Sequence, residues 1–453
     1  MEDTIAAIST PIGEGGIAII RISGPRALEI ADAIFVSPRG KPSQFQTHTI
    51  HFGAIGNNGH LLDKVMLAVM RAPRTYTAED VVEINCHGGL LNSRNILSCC
   101  LKHGARLAEP GEFTKRAFLN GRIDLTQAEA VMDLIAAKTD RARAVAVHAL
   151  EGHLSRRIEA VRERLMTVLA RIEAHIDFPD EDVATDTQDQ WLNSTLEILN
   201  TLQHLSATAG EGNILRNGIS LAIVGRPNAG KSSLMNALLG QDRSIVTPVP
   251  GTTRDAIEET ANIRGIPVRV TDTAGIRKPR GAVEKIGVTR SCNILATSAL
   301  VLHVLDVSRM FSHDDRELAA LCGSKPVIHV HNKIDRQHKL KLPANFPQRQ
   351  TVEVSAIRGD GLEELKDTIE QIALSCQVGF EEHEVAINER HADAIRRAID
   401  VLASASRELR AYSAPEIVSQ QLRIGLDAIG EIVGKTTTED LLTKIFSTFC
   451  IGK

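Results

Sequence analysis

Eight consecutive residues, Gly225-Arg-Pro-Asn-Ala-Gly-Lys-Ser232, fit the pattern G-x-x-x-x-G-K-[ST] of a phosphate-binding loop. Glycines in such a loop let backbone N–H groups approach phosphate oxygens, and a following helix N-terminus favours the negative charge. Asn228, Ala229, Gly230, Lys231, Ser232 and Ser233 would line the phosphates. Lys231 would reach the β- and γ-phosphates, and the Ser232 hydroxyl would ligate Mg²⁺. The companions of a GTPase follow in order. Gly251, Thr252 and Thr253 open Gly251-Thr-Thr-Arg-Asp255, which offers a switch threonine for Mg²⁺. Asp272, Thr273, Ala274 and Gly275 can hold the metal and sense the γ-phosphate. Asn332, Lys333, Ile334 and Asp335 follow an apolar run, and the Asp335 carboxylate can accept from the guanine N1 and exocyclic amine. Adenine lacks that pair of donors. Ser355 and Ala356 complete the base pocket. The set reads as a GTPase and not as a general ATPase of the same fold.

The catalytic water is harder to place. Many GTPases orient it with a glutamine directly after the D-x-x-G motif; here that residue is Ile276. Glu284 is a candidate carboxylate, with an exposed switch-region charge as the plainer reading. The side-chain carbonyl of Asn228 could ligate a monovalent cation beside the phosphates, or it could merely brace the loop. Thr247, Pro248, Val249 and Pro250 offer carbonyls from the other side. A cation there would offset the charge that an arginine finger otherwise offsets.

These residues need elements to hold them. Ile219–Val224 reads as a buried strand before the loop, and Ser233–Leu239 as the helix after it; Val327–Val330 is a strand leading to Asn332. Residues 1 to about 118 read as mixed α/β, with strands over Thr4–Ile8, Gly16–Ser23 and Asp80–Cys86 and helices over Ala27–Phe35 and Leu90–Lys102. Asn57-Asn-Gly59 marks a hairpin between His48–Ile55 and Leu61–Met70. Period-2 alternation puts Ile17, Ile19 and Arg21 on one face, and Val81, Glu83 and Asn85 on another; the charged members need partners, for which a structural ion pair or strand-end exposure suffices.

From about Arg122 the pattern turns helical. Leu150, Leu154, Ile158, Val161, Leu165, Leu169, Ile172 and Ile176 predict one amphipathic stripe; Leu192, Leu196, Leu199 and Leu202 predict a second helix ending at Gly210–Gly212. After about residue 377 the helical pattern returns, with Ile387, Ile395, Ala398 and Leu402, then Ile417, Leu422, Leu426, Ile429 and Val433. Thr436 and Glu439 suggest a capping box for a last helix. The acidic cluster Asp177, Asp180, Glu181 and Asp182 reads as a solvated loop or helix start, with metal binding as the alternative. The expected fold is multi-domain, α/β and all-α. An α+β domain spans 1–118, and a split helical domain spans 119–216 and 378–453. A Ras-like, doubly wound GTPase domain over 217–377 is inserted into the helical one.

Composition narrows the classes. With 453 residues, 43% of them hydrophobic, the chain can bury several cores. Aromatics make up 3%, with one tryptophan, Trp191, so a base-stacking platform is not expected. A net charge of -4 gives no overall basic field for nucleic acid. Seven cysteines without C-x-x-C spacing argue against a disulfide framework and for a reducing compartment. No stretch approaches the ~18 apolar residues of a membrane span, and a cytoplasmic location is expected.

Together with the GTPase motifs, several other stretches resemble the MnmE (TrmE) family of tRNA wobble-uridine modification GTPases. They are Asp3-Thr-Ile5, Gly15-Gly16, Arg21-Ile-Ser-Gly24, Cys86-His-Gly-Gly89, Pro110-Gly-Glu-Phe113 and Arg116-Ala-Phe-Leu-Asn120. Gln127-Ala-Glu-Ala130, Asp177-Phe-Pro-Asp-Glu181 and the terminal Phe449-Cys-Ile-Gly-Lys453 continue the likeness over essentially the whole length. The resemblance implies a tetrahydrofolate-binding, dimerising N-terminal domain, with a 5-formyl or methylene derivative contacted by Arg21, Glu83, Arg122 and Lys453. Cys450 matches the tail cysteine of the family and is carried as a catalytic candidate, with a buried free thiol as the plain alternative. K⁺ is implied at Asn228, Thr247, Val249 and Thr252, Mg²⁺ at Ser232 and Thr253, and a water-positioning role for Glu284. Also implied are a homodimer, a heterotetramer with an FAD-dependent protein of the MnmG (GidA) type, and tRNA as substrate. The expected product carries an aminomethyl or carboxymethylaminomethyl group on carbon five of the wobble uridine. Two rival readings are a ribosome-assembly switch, which would append a basic RNA-binding module, and a folate enzyme with an incidental nucleotide site. The first finds no basic run here, and the second leaves the base-specific motifs unexplained.

Overall fold

The computed structural model describes residues 3–57, 60–178, 188–240, 259–272, 295, 298–374 and 387–452. Two compact units emerge. The first comprises Met1–Met132, Ser155–Arg162 and Leu426–Lys453; the second comprises Asp133–Leu154 and Glu163–Gly425.

In the first unit, strands β1 (Ile5–Ile8), β2 (Ile17–Ser23), β3 (Phe35–Val36), β4 (Thr49–Asn57), β5 (His60–Met70), β6 (Val81–His87) and β7 (Arg106–Leu107) form one sheet in the order β3-β4-β5-β6-β2-β1-β7. All pairings are antiparallel except β1 with β7. Alternation separates the two faces of the sheet. Ala18, Ile20 and Ile22 of β2 and Val82, Ile84 and Cys86 of β6 are buried, and they pack with α1 (Ala27–Ile34) and α2 (Leu90–Lys102). Ile19, Arg21, Glu83 and Asn85 lie on the opposite, half-exposed face. Helices α3 (Glu112–Leu119) and α4 (Leu125–Ala136) follow, and Leu125 and Ala128 pack on Leu442, Phe446 and Phe449 from the end of the chain.

The second unit carries a sheet of β8 (Ile219–Gly225), β9 (Glu259–Ile263), β10 (Ile266–Asp272), β11 (Leu300–Asp306), β12 (Val327–Asn332) and β13 (Thr351–Val354), in the order β13-β12-β11-β8-β10-β9. Only the β9–β10 pair is antiparallel. Leu221 to Val224 and Leu300 to Leu305 are buried without alternation, as expected of parallel strands covered on both faces.

The predicted helices needed correction. The stripe from Leu150 to Ile176 is broken: α5 (Asp140–Leu150) ends, the chain turns at Glu151 and Gly152, and α6 (His153–Asp177) begins. Helix α7 (Gln188–Ala207) buries Trp191, Thr195, Ile198, Leu202 and Leu205; apart from Leu202, the predicted leucines are only half-buried. Its packed stripe contains the threonine and tryptophan that a leucine count passes over. The helical pattern does not end at Gly210–Gly212, because α8 (Ala209–Asn217) runs through both glycines and plants Leu215 in the core of the second sheet. Helices α9 (Lys231–Leu239), α10 (His313–Leu321) and α11 (Leu362–Leu374) flank that sheet. Helices α12 (Glu389–Arg410), α13 (Pro415–Val433) and α14 (Glu439–Phe446) end the chain. In α13, Leu422, Ile429 and Val433 are buried as predicted, but Ile417 is exposed and Val418 is buried in its place. The cap of α14 is Thr438, which accepts from Leu441 N; Thr436 instead donates to the Asp427 carbonyl at 2.7 Å.

Candidate functional site

The parallel strands end at one edge of the second sheet, and the motif residues gather there. Gly225 closes β8, and Asp272 pairs in register with Ile223 of that strand. Asn332, at the end of β12, pairs with Asp306 of β11 and Val354 of β13. Sites of α/β sheets lie beyond such carboxyl ends.

The loop is held in shape by its own backbone and by Asn332 and Lys333. Asn228 takes the left-handed region at φ 65° and Gly230 sits at φ 98°. Asn and Gly are the residues that tolerate that region. A Cβ on Gly230 would fall 2.1 Å from the Asn332 side-chain nitrogen, so glycine is required for the close approach. Buried Asn332 joins three segments. Its Nδ2 donates to the Ala229 carbonyl at 2.9 Å, and its Oδ1 accepts from Lys333 N at 2.8 Å and Ala356 N at 3.1 Å. Lys333 Nζ reaches the Asn228 carbonyl and the Asp306 carboxylate, each at 2.6 Å. The loop at Asn228–Gly230, the Asn332–Lys333 segment and the Ser355-Ala356 turn are thus one hydrogen-bonded body.

Lys231, the first residue of α9, donates from Nζ to the Gly225 and Arg226 carbonyls at 2.8 and 2.9 Å, which sets its ammonium across the loop. Ser232 and Ser233 are exposed in the first turn of that helix. The Asn228 side chain is exposed and makes no hydrogen bond among the described residues, so it does not brace the loop there; its backbone conformation does. Asp335 Oδ1 accepts from the Ser355 hydroxyl at 2.7 Å, and this bond holds the exposed carboxyl below the usual range, ionised at neutral pH.

Several expected residues lie outside the described ones: Thr247, Pro248, Val249, Pro250, Gly251, Thr252, Thr253, Thr273, Ala274, Gly275, Ile276, Glu284 and Lys453. Asp180, Glu181 and Asp182 of the acidic cluster do too. Among the described residues no group of three or more His, Cys, Asp and Glu is arranged to hold a metal ion. No helix among them is long and apolar enough to cross a membrane.

In the first unit Arg21 and Glu83 face each other across the β2–β6 register and form an ion pair at 2.8 Å. The pairing meets the need of both charges. The Arg21 guanidinium also lies 5.7 Å from the Tyr76 ring centre and 5.6 Å from that of Phe113, within cation–π range. Arg122 is exposed between α3 and α4, and its side chain makes no hydrogen bond among the described residues. The tail is docked: Gly111 N donates to the Cys450 carbonyl at 3.3 Å, and Phe449 is buried against Phe446, whose ring lies 5.3 Å away. Buried Gly452 approaches Ile8, with no room for a side chain. Ile8 pairs with Ile20, one residue from Arg21, so the fold brings the tail to the strand that neighbours Arg21. Cys450 itself is exposed, against the plain alternative of a buried thiol, because its buried neighbours Phe449 and Gly452 anchor the tail on either side.

Sequence reasoning missed Arg116. It is fully buried among Asp3, Glu79 and Glu112, at 2.8, 3.2 and 3.0 Å. Its place in Arg116-Ala-Phe-Leu-Asn120 gave a family signal without a structural role.

Comparison with known proteins agrees along the whole chain. A family model described as the MnmE helical domain matches residues 125–450, and one described as the GTP-binding protein TrmE N-terminus matches residues 4–122. The tRNA modification GTPase MnmE of Alkaliphilus oremlandii is 45% identical over 459 residues, covering 100% of both chains. That of Thermoanaerobacter pseudethanolicus is 45% identical, covering 100% of this chain and 99% of its own. The Geobacter sulfurreducens protein of the same name is 45% identical with 100% coverage of both.

Proposed function

The chain belongs to the MnmE (TrmE) family, and from that premise we propose that it hydrolyses GTP in the modification of the wobble uridine of tRNA. The observation that carries the reading is the Asn332 side chain, which binds the phosphate loop and the Ser355-Ala356 turn into one nucleotide-shaped edge. Lys231 neutralises the phosphate oxygens, the α9 N-terminus adds its partial charge, and Asp335 reads guanine through N1 and the exocyclic amine. Water attacks the γ-phosphorus and GDP leaves, with Glu284 as the acceptor that orients the water in place of the apolar Ile276.

Ser232 offers a hard hydroxyl oxygen that suits Mg²⁺, with Thr253 as its expected companion. The unbonded Asn228 amide suits K⁺, with Thr247, Val249 and Thr252 completing the set. When bound, the two cations supply charge stabilisation at the transferring phosphate. Arg21, Glu83, Arg122 and Lys453 are the proposed contacts of the 5-formyl or methylene tetrahydrofolate derivative, which supplies the one-carbon unit. Their fit rests on charge: the Arg122 guanidinium makes no hydrogen bond among the described residues, and Gly452 of the docked tail lies beside β1, which pairs with the Arg21 strand. Cys450, exposed in that tail, is the catalytic candidate there.

We place the folded parts as an N-terminal folate-binding domain at 1–118 and a GTPase domain at 217–377 inserted between helical parts 119–216 and 378–453. We also place the protein in the cytoplasm, as a homodimer working with an FAD-dependent MnmG-type protein. Support for the dimer comes from Ile50 and Phe52 of β4, Met66 of β5 and Ile17 of β2, all exposed on one face of the first sheet. The test is GTP turnover by the full chain in K⁺ and in Na⁺. K⁺ should raise it by about 10²–10³, the cost of one preorganised charge stabiliser. Equal affinity for ATP and GTP would reject the nucleotide assignment, and equal rates in the two salts would reject the cation role.

A further inference from the structure

The second unit holds a contact that the nucleotide edge does not use. The β9–β10 hairpin joins two stretches expected at the nucleotide: β9 starts after residues 247–253, and β10 ends at Asp272. Its far end, the Arg264-Gly265 turn, lies about seven residues away, roughly 23 Å along a strand.

That turn is gripped by α5. Thr139, the N-cap of α5, donates from Oγ1 to the Gly265 carbonyl at 2.7 Å while the same oxygen accepts from Ala142 N at 3.2 Å. Gly265 lies at φ 83°, and a Cβ there would meet the Arg141 side chain at 3.0 Å, so the turn packs tightly against α5. Lys138 Nζ reaches the Thr260 hydroxyl at 3.2 Å, and Arg141 pairs with Glu370 of α11 at 3.2 Å. On the other side of the turn Arg264 pairs with Asp367 and Glu363 at 2.6 and 2.9 Å. Val145 of α5 and Leu215 of α8 enter the core of this sheet, and Asn217 leads through Gly218 directly into β8. Strand β8 and the hairpin are therefore both held by the same helices at the ends away from the nucleotide.

We propose that Thr139 is a positioning residue for the GTPase reaction, fixing the β9–β10 hairpin to α5 so that the nucleotide state and the α5 N-terminus report to each other. The hairpin is a two-stranded lever clamped at one end, and at the other it leads in sequence into the stretches expected at the nucleotide. A nucleotide-dependent displacement carried along the hairpin would either move the clamp or strain it. By linkage, whatever displaces α5 alters nucleotide binding by the same factor. The inference rests on the GTPase reading.

Three variants separate the clamp from the helix cap. Thr139→Ser keeps both hydrogen bonds. Thr139→Asp keeps the cap, since a carboxylate accepts from Ala142 N, and loses the donor to Gly265. Thr139→Val keeps the shape and loses both bonds, and serves if the carboxylate disturbs folding. The measurement is amide hydrogen exchange of residues 142–150 in the full chain with a non-hydrolysable GTP analogue and with GDP, beside a binding titration of each nucleotide. The parent and Thr139→Ser should show exchange rates differing between the nucleotides by about fivefold or more, the lower range of allosteric couplings. Thr139→Asp and Thr139→Val should bind both nucleotides and show no such difference. A difference that persists in these two variants, or is missing from a parent that binds both nucleotides, overturns the proposal. A parent that binds neither overturns the GTPase reading beneath it.

Discussion

The nucleotide-binding sheet of the second unit and the sheet of the first hold their polar groups by different means. In the former, backbone geometry makes the site: a loop with Asn228 and Gly230 at positive φ, stapled by Asn332. In the latter, side chains far apart in sequence meet only through folding, as Arg21 meets Glu83 and buried Arg116 meets Asp3, Glu79 and Glu112. The interiors differ in the same sense. The first unit buries a charge with its counter-charges. The second buries His303 and His329, neighbours at 5.3 Å whose ring nitrogens have no hydrogen-bond partner among the described residues. A backbone site is specified by a short motif and tolerates few substitutions within it. A side-chain site can be dismantled one charge at a time.

The largest effect should come from the proposed guanine contact, Asp335. Asp335→Asn replaces the acceptor proposed to meet two donors of guanine, and sites built on such bonds reject the mismatched ligand by factors on the order of 10⁴. Titration should show GTP affinity falling by that order and xanthosine triphosphate, with a carbonyl in place of the amine, binding instead. Unchanged GTP affinity would mean that Asp335 does not face the base.

Next is Arg116→Met, which removes the buried guanidinium shared by three carboxylates: Arg106 still pairs with Asp3 and Glu112, but Glu79 loses its ion pair beside a buried apolar side chain. Breaking a buried ionic group of this kind costs about 3–5 kcal/mol. Urea melts followed through the first unit should register it, while GTP affinity stays as in the parent. A loss below 1 kcal/mol would show that the network is not a stabilising one.

Acid should separate the two interiors. Burial pushes His303 down to about 3, with His329 and His331 adding to the effect, and pushes His329 down to about 4 with help from Arg349. These folded values lie below the ordinary 6.5, so as pH falls the unfolded chain takes up protons first. Stability from the pair is complete above about 6.5 and drains until pH falls through about 4 for His329 and about 3 for His303, losing roughly 2 kcal/mol by pH 5 after allowance for solvent screening. In the first unit, burial would raise the Glu112 carboxyl, but hydrogen bonds from Arg106, Glu109 N and Arg116 outweigh it and hold it below 4.5. That contribution is present above 4.5 and is lost only as pH falls further. Hydrogen exchange at pH 7 and pH 5 should therefore loosen β11 and β12 and leave β2 and β6 unchanged. Equal loosening of both sheets would remove the distinction.

The smallest stability effect should be at the Arg21–Glu83 pair, which retains partial solvent contact. Glu83→Gln should cost less than about 1 kcal/mol. If these residues serve a ligand, the same change should abolish tRNA modification while the melting curve hardly moves. Normal modification in that variant would leave the pair a purely structural one.

The contrast also explains what the sequence made legible. The strand, loop and helix around Lys231 were readable because a fixed spacing of Gly, Lys and Ser is itself the geometry. The buried runs Ile219–Val224 and Val327–Val330 were readable because parallel strands covered on both faces are apolar without alternation. Arg21 and Glu83 were singled out by their faces, but their pairing needed the β2–β6 register, which sits 62 residues apart in the chain. The break at Glu151-Gly152, the one-residue shift in α7 and the exposure of Ile417 in α13 escaped because leucine spacing cannot tell a packed stripe from its flank, and Trp191, Thr195 and Val418 set the true one. The grip of Thr139 on Gly265 spans 126 residues and leaves no local pattern at all.

The central claim is that GTP turnover at this edge serves tRNA modification. Nucleoside mass spectrometry of bulk tRNA from cells lacking the protein, complemented with the parent or with Lys231→Ala, tests it directly. The account predicts that carbon-five-modified wobble uridine disappears in the deletion, returns with the parent and stays absent with Lys231→Ala. Full restoration by Lys231→Ala, or an unchanged wobble uridine in the deletion, would contradict it.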